Sequence, residues 1–599
     1  MFIRRSGIRC LRVLALLLFC ALIFPALSAP ARAQVYAGKP KIIVIVVIDQ
    51  FRGDYLNRFQ TQFKGRGFRL FTEEGAWFTQ CYYDYANTKT APGHATLGTG
   101  AYSDGHGIES NEWWDMSRST IRKVTSVEDE RYQLVDVPES SLPSKQPNAR
   151  SDAPNYLTGS SPRNLRASTL GDELRLATQG KARVFGVSLK DRASILPAGQ
   201  AANAAYWLEP SSGIFTSSTY YMEHLPGWAK DFNTRGRREQ AAREALVPGT
   251  DQFFEQVGRM PAANSYELDF AKALIQNEKL GQKGVTDEIT ISLSANDLEG
   301  HTFGPDSDQE MEMVLSLDRD LDSFFSWLDK SVGLQNVWLA LSADHGVAPI
   351  PFEAAQLGMN AAAIDMQAVN DTLNQKLAQR FPGSENAKFI LGSPDLPYVV
   401  LNKEAFQKAG VDEAAAEAAV ASMLPEAVAA SGPSQPQQIP AQHRVPVTPR
   451  VQAVYTRLQF AHAELPPSEL GRLLAHSYAD HDDWFVMAVL DAYQLQGSSA
   501  GGTTHFSPWS YDRHVPLAFY GAPFAPGIYH ERVAPVDLAA TMASLLGVNQ
   551  PSASVGNVLT QALRPTASVV YPKPPIVRTR TRAKGATPSK TSPESKTPK

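Results

Sequence analysis

The sequence predicts an α/β protein with a mostly parallel central sheet and helices on both of its faces. The first observation is the segment 41–49, KIIVIVVID, a nearly continuous β-branched run that stops at Asp49. Such runs are typical of strands buried on both faces of a parallel sheet. The second observation is that further strand-like runs alternate with helix-like stretches along the chain. This alternation favours an open sheet that is covered by helices.

Four further strands are predicted, and polar residues stand at their ends. They are ARVFGVSL before Lys190, ITISLSAN before Asp297, NVWLALSA before Asp344, and VPLAFYGA after His514. Two stretches between strands, DQEMEMVLSLDRDLDSFFSWLDK and VAPVDLAATMASLLGV, have the spacing of amphipathic helices. Because ligands bind beyond the carboxyl ends of strands in such sheets, the polar ends predict one shared site.

Composition and charge limit the class of protein. The 599 residues are 43% hydrophobic and 20% charged, which is typical of a globular protein with a large core. The formal net charge of −4 provides no general attraction to nucleic acid or to anionic membranes. We therefore expect no specific nucleic-acid partner. A small-molecule ligand and a monomeric protein are separate expectations.

The N-terminus predicts a secretory signal peptide over residues 1–33. A basic segment, MFIRRSGIRCLR, precedes the apolar run VLALLLFCALIF, and Ala31-Arg32-Ala33 has the form of a cleavage site. Cleavage after Ala33 would deliver a periplasmic or secreted protein. An uncleaved anchor is the alternative, although the apolar run is short for a bilayer span of about 20 residues. No later apolar stretch is long enough to span a membrane, so we expect none in the mature chain.

The predicted signal peptide determines how many cysteines the mature chain keeps. Two of the three, Cys10 and Cys20, lie in the signal segment. The mature chain then keeps only Cys81, which excludes an internal disulfide and a cysteine-based metal site. We expect Cys81 to be a small buried core residue.

The rest of the chain is predicted to be one catalytic domain, residues 34–565, with insertions at about 112–165 and 350–480. The segment 431–450, SGPSQPQQIPAQHRVPVTPR, has the composition of a loop or linker. The tail at 572–599 is basic, rich in Pro, Ser and Thr, and poor in apolar residues. Such a composition predicts disorder.

Carboxylates and imidazoles at the predicted strand ends and loops form a candidate ligand set. They are Asp49, Asp297, His301, Asp344, His345 and His505. Asp297 and His301 are spaced i and i+4, so one helical turn would aim both side chains the same way. Each residue alone has an ordinary alternative, such as a helix cap, an exposed pair or a loop histidine. Together, three carboxylates and three imidazoles without thiolates suit zinc or a similar divalent ion.

The segment 87–100, NTKTAPGHATLGTG, raises the question of what Thr90 does. A threonine before a proline is commonly a helix cap. The same position would place a hydroxyl beside the positive end of a helix, where it could act as a nucleophile. Two divalent ions about 4 Å apart suit phosphoryl transfer, and a metal can activate an otherwise weak hydroxyl nucleophile.

Three further residues are candidates for binding phosphate oxygens. Lys190 and Arg192 occupy alternate positions in SLKDR, from which both could face one side. Asn111, in HGIESN, could donate one more hydrogen bond, although a turn asparagine is the ordinary alternative.

Seven segments in order between about residues 41 and 550 resemble the alkaline phosphatase superfamily, and within it the threonine-nucleophile alkaline phosphatases of the PafA type. They are VVIDQFRGDY, NTKTAPGHATLGTG, HGIESN, SLKDRA, NDLEGHTFGP, ADHG and GTTHFSPWSYDRHVP. The resemblance implies a three-layer α/β/α sandwich with an inserted cap and two zinc ions per chain. It implies hydrolysis of phosphate monoesters through a phosphothreonine at Thr90.

The resemblance also implies a role for each candidate. One zinc ion would be held by Asp49, Thr90, Asp344 and His345, and the other by Asp297, His301 and His505. Asn111, Lys190 and Arg192 would form the phosphate-binding trio that separates these monoesterases from related nucleotide pyrophosphatases and phosphodiesterases. A phosphodiesterase on the same fold and a non-catalytic secreted phosphate-binding protein remain alternatives.

Overall fold

A nine-stranded mixed sheet forms the centre of the protein in its computed structural model, which describes residues 38–116, 121–137, 158–250, 252–381, 387–434, 447–481, 483–497 and 501–564. The strands, in chain order, are β1 (Ile42–Ile48), β2 (Ala76–Tyr82), β3 (Glu112–Asp115), β4 (Arg122–Thr125), β5 (Glu128–Gln133), β6 (Thr158–Ser160), β7 (Val184–Ser188), β8 (Ala204–Leu208), β9 (Phe215–Thr216), β10 (Asp287–Leu293), β11 (Val337–Ser342), β12 (Ala362–Ile364), β13 (Tyr398–Val400), β14 (Pro433–Ser434), β15 (Val451–Thr456), β16 (Phe485–Leu490), β17 (Gln494–Gln496), β18 (His514–Tyr520) and β19 (Gly527–Val533).

The helices fall between these strands. In chain order they are α1 (Tyr55–Arg58), α2 (Arg69–Thr72), α3 (Thr90–Thr99), α4 (Ser103–His106), α5 (Leu170–Ala177), α6 (Asp191–Ala198), α7 (Gly227–Thr234), α8 (Arg237–Glu244), α9 (Phe253–Gln256), α10 (Pro261–Asn277), α11 (Ala295–Phe303), α12 (Asp308–Ser331), α13 (Pro351–Gln356), α14 (Met366–Arg380), α15 (Lys403–Lys408), α16 (Glu413–Ser431), α17 (Arg457–Ala461), α18 (Glu469–Ser477), α19 (Ser510–Arg513) and α20 (Asp537–Leu546).

The order of strands in the central sheet is β19-β2-β18-β11-β1-β10-β7-β8-β9. The strands from β11 to β8 pair in parallel, and every residue of β1, β10, β11 and β7 is buried. Burial of every residue means that both faces of these strands are covered, as their continuous apolar sequences predict. The predicted α/β fold and its five strands are confirmed.

Two strands of the sheet run antiparallel to their neighbours: β9 at one edge, which pairs with β8, and β18 inside the sheet. β18 pairs antiparallel with both β11 and β2. Its first residue therefore lies at the edge where the neighbouring parallel strands end. The loop that leads into β18 contains His505, so the topology carries this histidine to the carboxyl ends of β1 and β11.

The chain between β11 and β18 builds a second core. Its buried apolar residues come from residues 362–490 and include Leu373, Phe406, Leu424 and Val486. Two three-stranded sheets, β14-β12-β17 and β13-β16-β15, belong to this inserted region. The described residues between 350 and 480 thus form strands and helices of their own.

Several predictions fall wholly or partly outside the described residues. The signal peptide at 1–33 and the tail at 572–599 lie outside them, as does most of the 431–450 segment. The described part of the predicted insertion at 112–165 forms two short antiparallel pairs, β3–β4 and β5–β6. Cys81 is a buried free thiol in β2. Among the described helices, none is long and apolar enough to cross a bilayer.

Candidate active site

Three carboxylates, from Asp49, Asp297 and Asp344, lie at the carboxyl edge of the central sheet. Asp49 directly follows β1, and Asp344 follows β11 by two residues. The register pairs Val47 with Ser342, so the two aspartates stand at the same level on neighbouring strands. Asp297 lies in the first turn of α11, immediately after β10. All three are nearly or fully buried.

Imidazoles surround the Asp297 carboxylate. His301, one helical turn further along α11, places Nε2 3.2 Å from Asp297 Oδ1. His505 places its Nε2 3.7 Å from the same oxygen. The rings of His345 and His505 stack with centroids 3.6 Å apart. Asp297 and His301, the predicted i, i+4 pair, therefore lie together with His345 and His505, two histidines from distant parts of the chain.

In each of the three histidines, the Nδ1 atom lies within hydrogen-bonding distance of a backbone carbonyl oxygen. The distances are 2.9 Å from His301 to Thr503 O, 3.0 Å from His345 to Gly346 O, and 2.5 Å from His505 to Thr88 O. A neutral imidazole that donates Nδ1–H to a carbonyl leaves an unprotonated Nε2, which is the usual arrangement of a histidine that ligates a metal. Burial alone would lower the pKa of His301, but the charge of Asp297 raises it, so the metal-free protein favours the protonated form of this ring. In the neutral form that a metal selects, all three rings present Nε2 as a ligand atom.

The side chains meet the geometric requirement for metal ligands in two groups. One group is Asp297, His301 and His505, and the other is Asp49, Asp297 and His345; in each, one ligand atom per residue lies within 4.8 Å of the others. Three buried atoms, Asp49 Oδ1, Asp344 Oδ2 and His345 Nε2, have no hydrogen-bond partner among the described residues. Buried polar atoms are normally paired, so these acceptor atoms fit a divalent cation such as zinc.

Electrostatics at this edge of the sheet also favours a cation. Burial, reinforced by the charge of Asp344, raises the pKa of Asp49 well above its usual range. Burial would also raise the pKa of Asp297, but the charges of Lys190 and His301 outweigh it and hold that pKa well below the usual range. Burial and the neighbouring His345 lower the pKa of His505, which keeps this ring neutral. A neutral imidazole beside ionisable carboxylates is suited to bind a divalent ion.

The first turn of α3 carries Thr90 to the same place. The N-cap residue of α3 is Lys89, so Thr90 is the first helical residue and not the cap. A Cβ atom on Gly93 would lie 2.6 Å from Asp344 Cβ, which shows how closely this turn packs on the aspartate. His94 Nδ1 lies 2.8 Å from Thr90 O and 3.3 Å from Asp344 Oδ2. Thr90 itself is 2% exposed.

The three residues proposed to bind phosphate differ in their hydrogen-bond partners and in their exposure. Asn111 Oδ1 accepts a hydrogen bond of 2.8 Å from the Ala91 backbone N–H, so its amide nitrogen is the end able to donate to a ligand. Lys190 Nζ donates to Asp49 Oδ2 and Asp297 Oδ2, both at 2.6 Å. The Arg192 side chain is 26% exposed, and its Nε finds no acceptor in the described part of the chain. Lys190, which follows β7 as predicted, is the N-cap of α6, and Arg192 lies in the first turn of that helix.

Lys89 is a residue at this site that the sequence reasoning missed. Its side chain is 2% exposed, and Nζ lies 2.9 Å from Asp395 Oδ1 in the inserted region. Nζ also donates to Ser110 Oγ at 3.0 Å and lies 4.7 Å from the centre of the Phe506 ring. Lys89 therefore joins the start of α3 to three other segments. Its position next to Thr90 was the one sequence signal that could have pointed to it.

A cavity of about 380 Å³ opens beside His301. It is lined by Thr302 and Thr503 next to the candidate ligands, and by Leu495 and Gln496 from the inserted region. The site thus has space on the His301 side for a group larger than phosphate.

The family comparison matches most of the chain. Residues 43–489 match the family model of the type I phosphodiesterases and nucleotide pyrophosphatases. Two curated relatives are each 31% identical and are covered almost completely. One is named a calcium-transporting ATPase, from Myroides odoratus, and is matched over 88% of this chain and 95% of the relative. The other is alkaline phosphatase PhoV of Synechococcus elongatus, matched over 88% of this chain and 94% of the relative.

The structural comparison agrees with the family model. The crystal structure of alkaline phosphatase PafA superposes with a TM-score of 0.74 at 29% sequence identity. The match covers 88% of this chain and 99% of the PafA chain. The similarity therefore includes the central sheet and the inserted region.

Proposed function

Because this chain belongs to the type I phosphodiesterase and nucleotide pyrophosphatase family, and within it to the alkaline phosphatases similar to PafA, we propose that it is a metal-dependent phosphomonoesterase. The observation that carries the proposal is that Asp49, Asp297 and three histidines form two groups of potential metal ligands, while the neighbouring Asp344 packs against the first turn of α3. Such a site combines a cation-binding pocket with a hydroxyl nucleophile, as phosphoryl transfer requires.

The proposed cofactor is a pair of zinc ions. Asp49, Thr90, Asp344 and His345 would hold one ion, and Asp297, His301 and His505 would hold the other. When bound, the two ions would lower the pKa of the attacking hydroxyl and stabilise the leaving oxygen.

The protein groups supply nucleophile, orientation and charge. Thr90 Oγ1 attacks phosphorus, the bond to the leaving alkoxide breaks, and a phosphothreonine forms; water then hydrolyses this ester and releases phosphate. The Asn111 amide, Lys190 and Arg192 bind the non-bridging oxygens and stabilise their charge in the transition state. The cavity beside His301 would accommodate the leaving group.

We also propose that the enzyme is exported and monomeric. The predicted signal peptide at residues 1–33 supports a periplasmic or secreted location. Small phosphate monoesters would be its substrates.

The test compares an aryl phosphate monoester with the matching diester. A phosphate monoester carries one more charged oxygen than a diester. A site with the two cationic side chains of Lys190 and Arg192 should therefore favour the monoester. For the wild type we expect a higher kcat/KM with the monoester than with the diester. Arg192→Ala should lower kcat/KM for the monoester roughly 10- to 100-fold, because a hydrogen bond to a charged group is worth about 1.5–3 kcal/mol. The same substitution should change kcat/KM for the diester much less.

A phosphodiesterase is the second candidate, since the matching family model describes diester chemistry. A wild-type enzyme that prefers the diester, with both values falling equally in the Arg192 variant, would establish it instead. A metal-loaded protein that binds phosphate but turns over neither ester would identify a phosphate-binding protein.

A further inference from the structure

Gln50 combines a strained backbone with a fully buried polar side chain. It directly follows Asp49, and its φ of 63° lies in the left-handed region. Residues other than glycine avoid this region because Cβ clashes with the backbone there. Strained residues of this kind persist where surrounding contacts hold them, often at functional sites.

Two hydrogen bonds hold Gln50, and each reaches a different carboxylate. Its backbone N–H donates to Asp344 Oδ1 at 3.1 Å. Its side-chain Nε2 donates to Asp297 Oδ1 at 2.7 Å. Asn296 Nδ2 fixes the preceding peptide by donating to Asp49 O at 3.0 Å. A single residue thus contacts one carboxylate from each of the two proposed zinc ligand sets.

Gly300 makes room for the Gln50 side chain. It lies in α11, one residue before His301, and a Cβ atom there would lie 2.2 Å from Gln50 Oε1. This distance is far too short for a non-bonded contact, so a side chain at position 300 would displace the glutamine amide. The glutamine and the glycine therefore fit each other sterically.

We infer that Gln50 is a positioning residue whose side-chain amide orients the Asp297 carboxylate for metal binding, while its backbone N–H orients Asp344. This inference rests on the proposed function. Hydrogen-bond donors to ligating carboxylates fix their orientation, and losing such partners typically lowers metal affinity about 10- to 100-fold. A left-handed glycine could keep the backbone contact, so only the contact with Asp297 requires glutamine.

The test measures stepwise zinc binding by competition with a chromophoric chelator. We expect Gln50→Gly to weaken one of the two zinc-binding steps about 10- to 100-fold and to leave the other unchanged. Gln179→Gly is the matched control, since Gln179 is also left-handed, with a φ of 55°, but is exposed. Gln50→Met, which fills the space without an amide donor, should reproduce the loss and carries the test if the glycine variant does not fold.

A double mutant provides a second readout. Gly300→Ala should weaken the same zinc step by displacing the amide, but it should add little in the Gln50→Gly background. Three results would overturn the inference. They are wild-type zinc affinity in both Gln50 variants, an equal loss of affinity at both zinc-binding steps, and additive effects of the Gly300 and Gln50 substitutions. A wild-type protein that binds no zinc would instead refute the proposed function on which it rests.

Discussion

Replacing Thr90 with alanine is expected to lower kcat/KM for an aryl phosphate by roughly 10⁴-fold or more, since removing a nucleophile that acts together with its activating groups costs rate factors of this size. The first turn of α3, which Thr90 begins, packs on Asp344 through Gly93 and His94. A methyl group at this position offers no atom that can attack phosphorus. The measurement is steady-state hydrolysis with metal-loaded protein.

Thr90→Ser is the matched control for this variant. Serine keeps the hydroxyl and loses only a methyl group, so we expect the serine variant to keep most of the activity. Both variants should retain the wild-type zinc content if the remaining ligands hold the ions. An alanine variant with turnover near that of the wild type would exclude Thr90 as the nucleophile.

Replacing Lys190 with methionine is expected to have the second largest effect. We expect kcat/KM for the monoester to fall roughly 10²- to 10³-fold, the usual cost of removing one charge-stabilising donor. The variant should also destabilise metal-free protein by about 3 kcal/mol or more, because removing one partner of a buried ion pair leaves uncompensated charge. Lys190 contacts the buried carboxylates of both Asp49 and Asp297, and its side chain is only 4% exposed.

The control is Lys181→Met, which removes an exposed lysine shortly before β7. It should change neither the turnover nor the midpoint of urea unfolding. Zinc should restore much of the stability lost by the Lys190 variant, since a divalent ion also neutralises the two carboxylates. A Lys190 variant with normal turnover of the monoester would remove Lys190 from the phosphate-binding residues.

The sequence predicts those parts of the site that depend on local patterns. Asp49 and Asp344 follow apolar strands, and the carboxyl ends of parallel neighbours meet at one edge. Asp297 and His301 share a helical turn, which their spacing specifies. The strands and the α/β class follow in the same way from continuous apolar runs.

Other features depend on contacts between distant segments and could not be predicted from one sequence. Asp297 lies within reach of both candidate ligand groups, although the resemblance assigns it to one zinc ion. Lys89 acquires its role through Asp395, about 300 residues away in the inserted region. The left-handed conformation of Gln50 has no sequence signal, because glycine is the residue that normally marks that conformation.

We propose that side chains from distant parts of the chain jointly hold two zinc ions beside Thr90. Elemental analysis of purified protein during stepwise chelation, with phosphate release measured on the same samples, tests it most directly. We expect about two zinc ions per chain, loss of turnover as they are removed, and recovery when zinc is returned. Full turnover by protein that contains no divalent metal would contradict it.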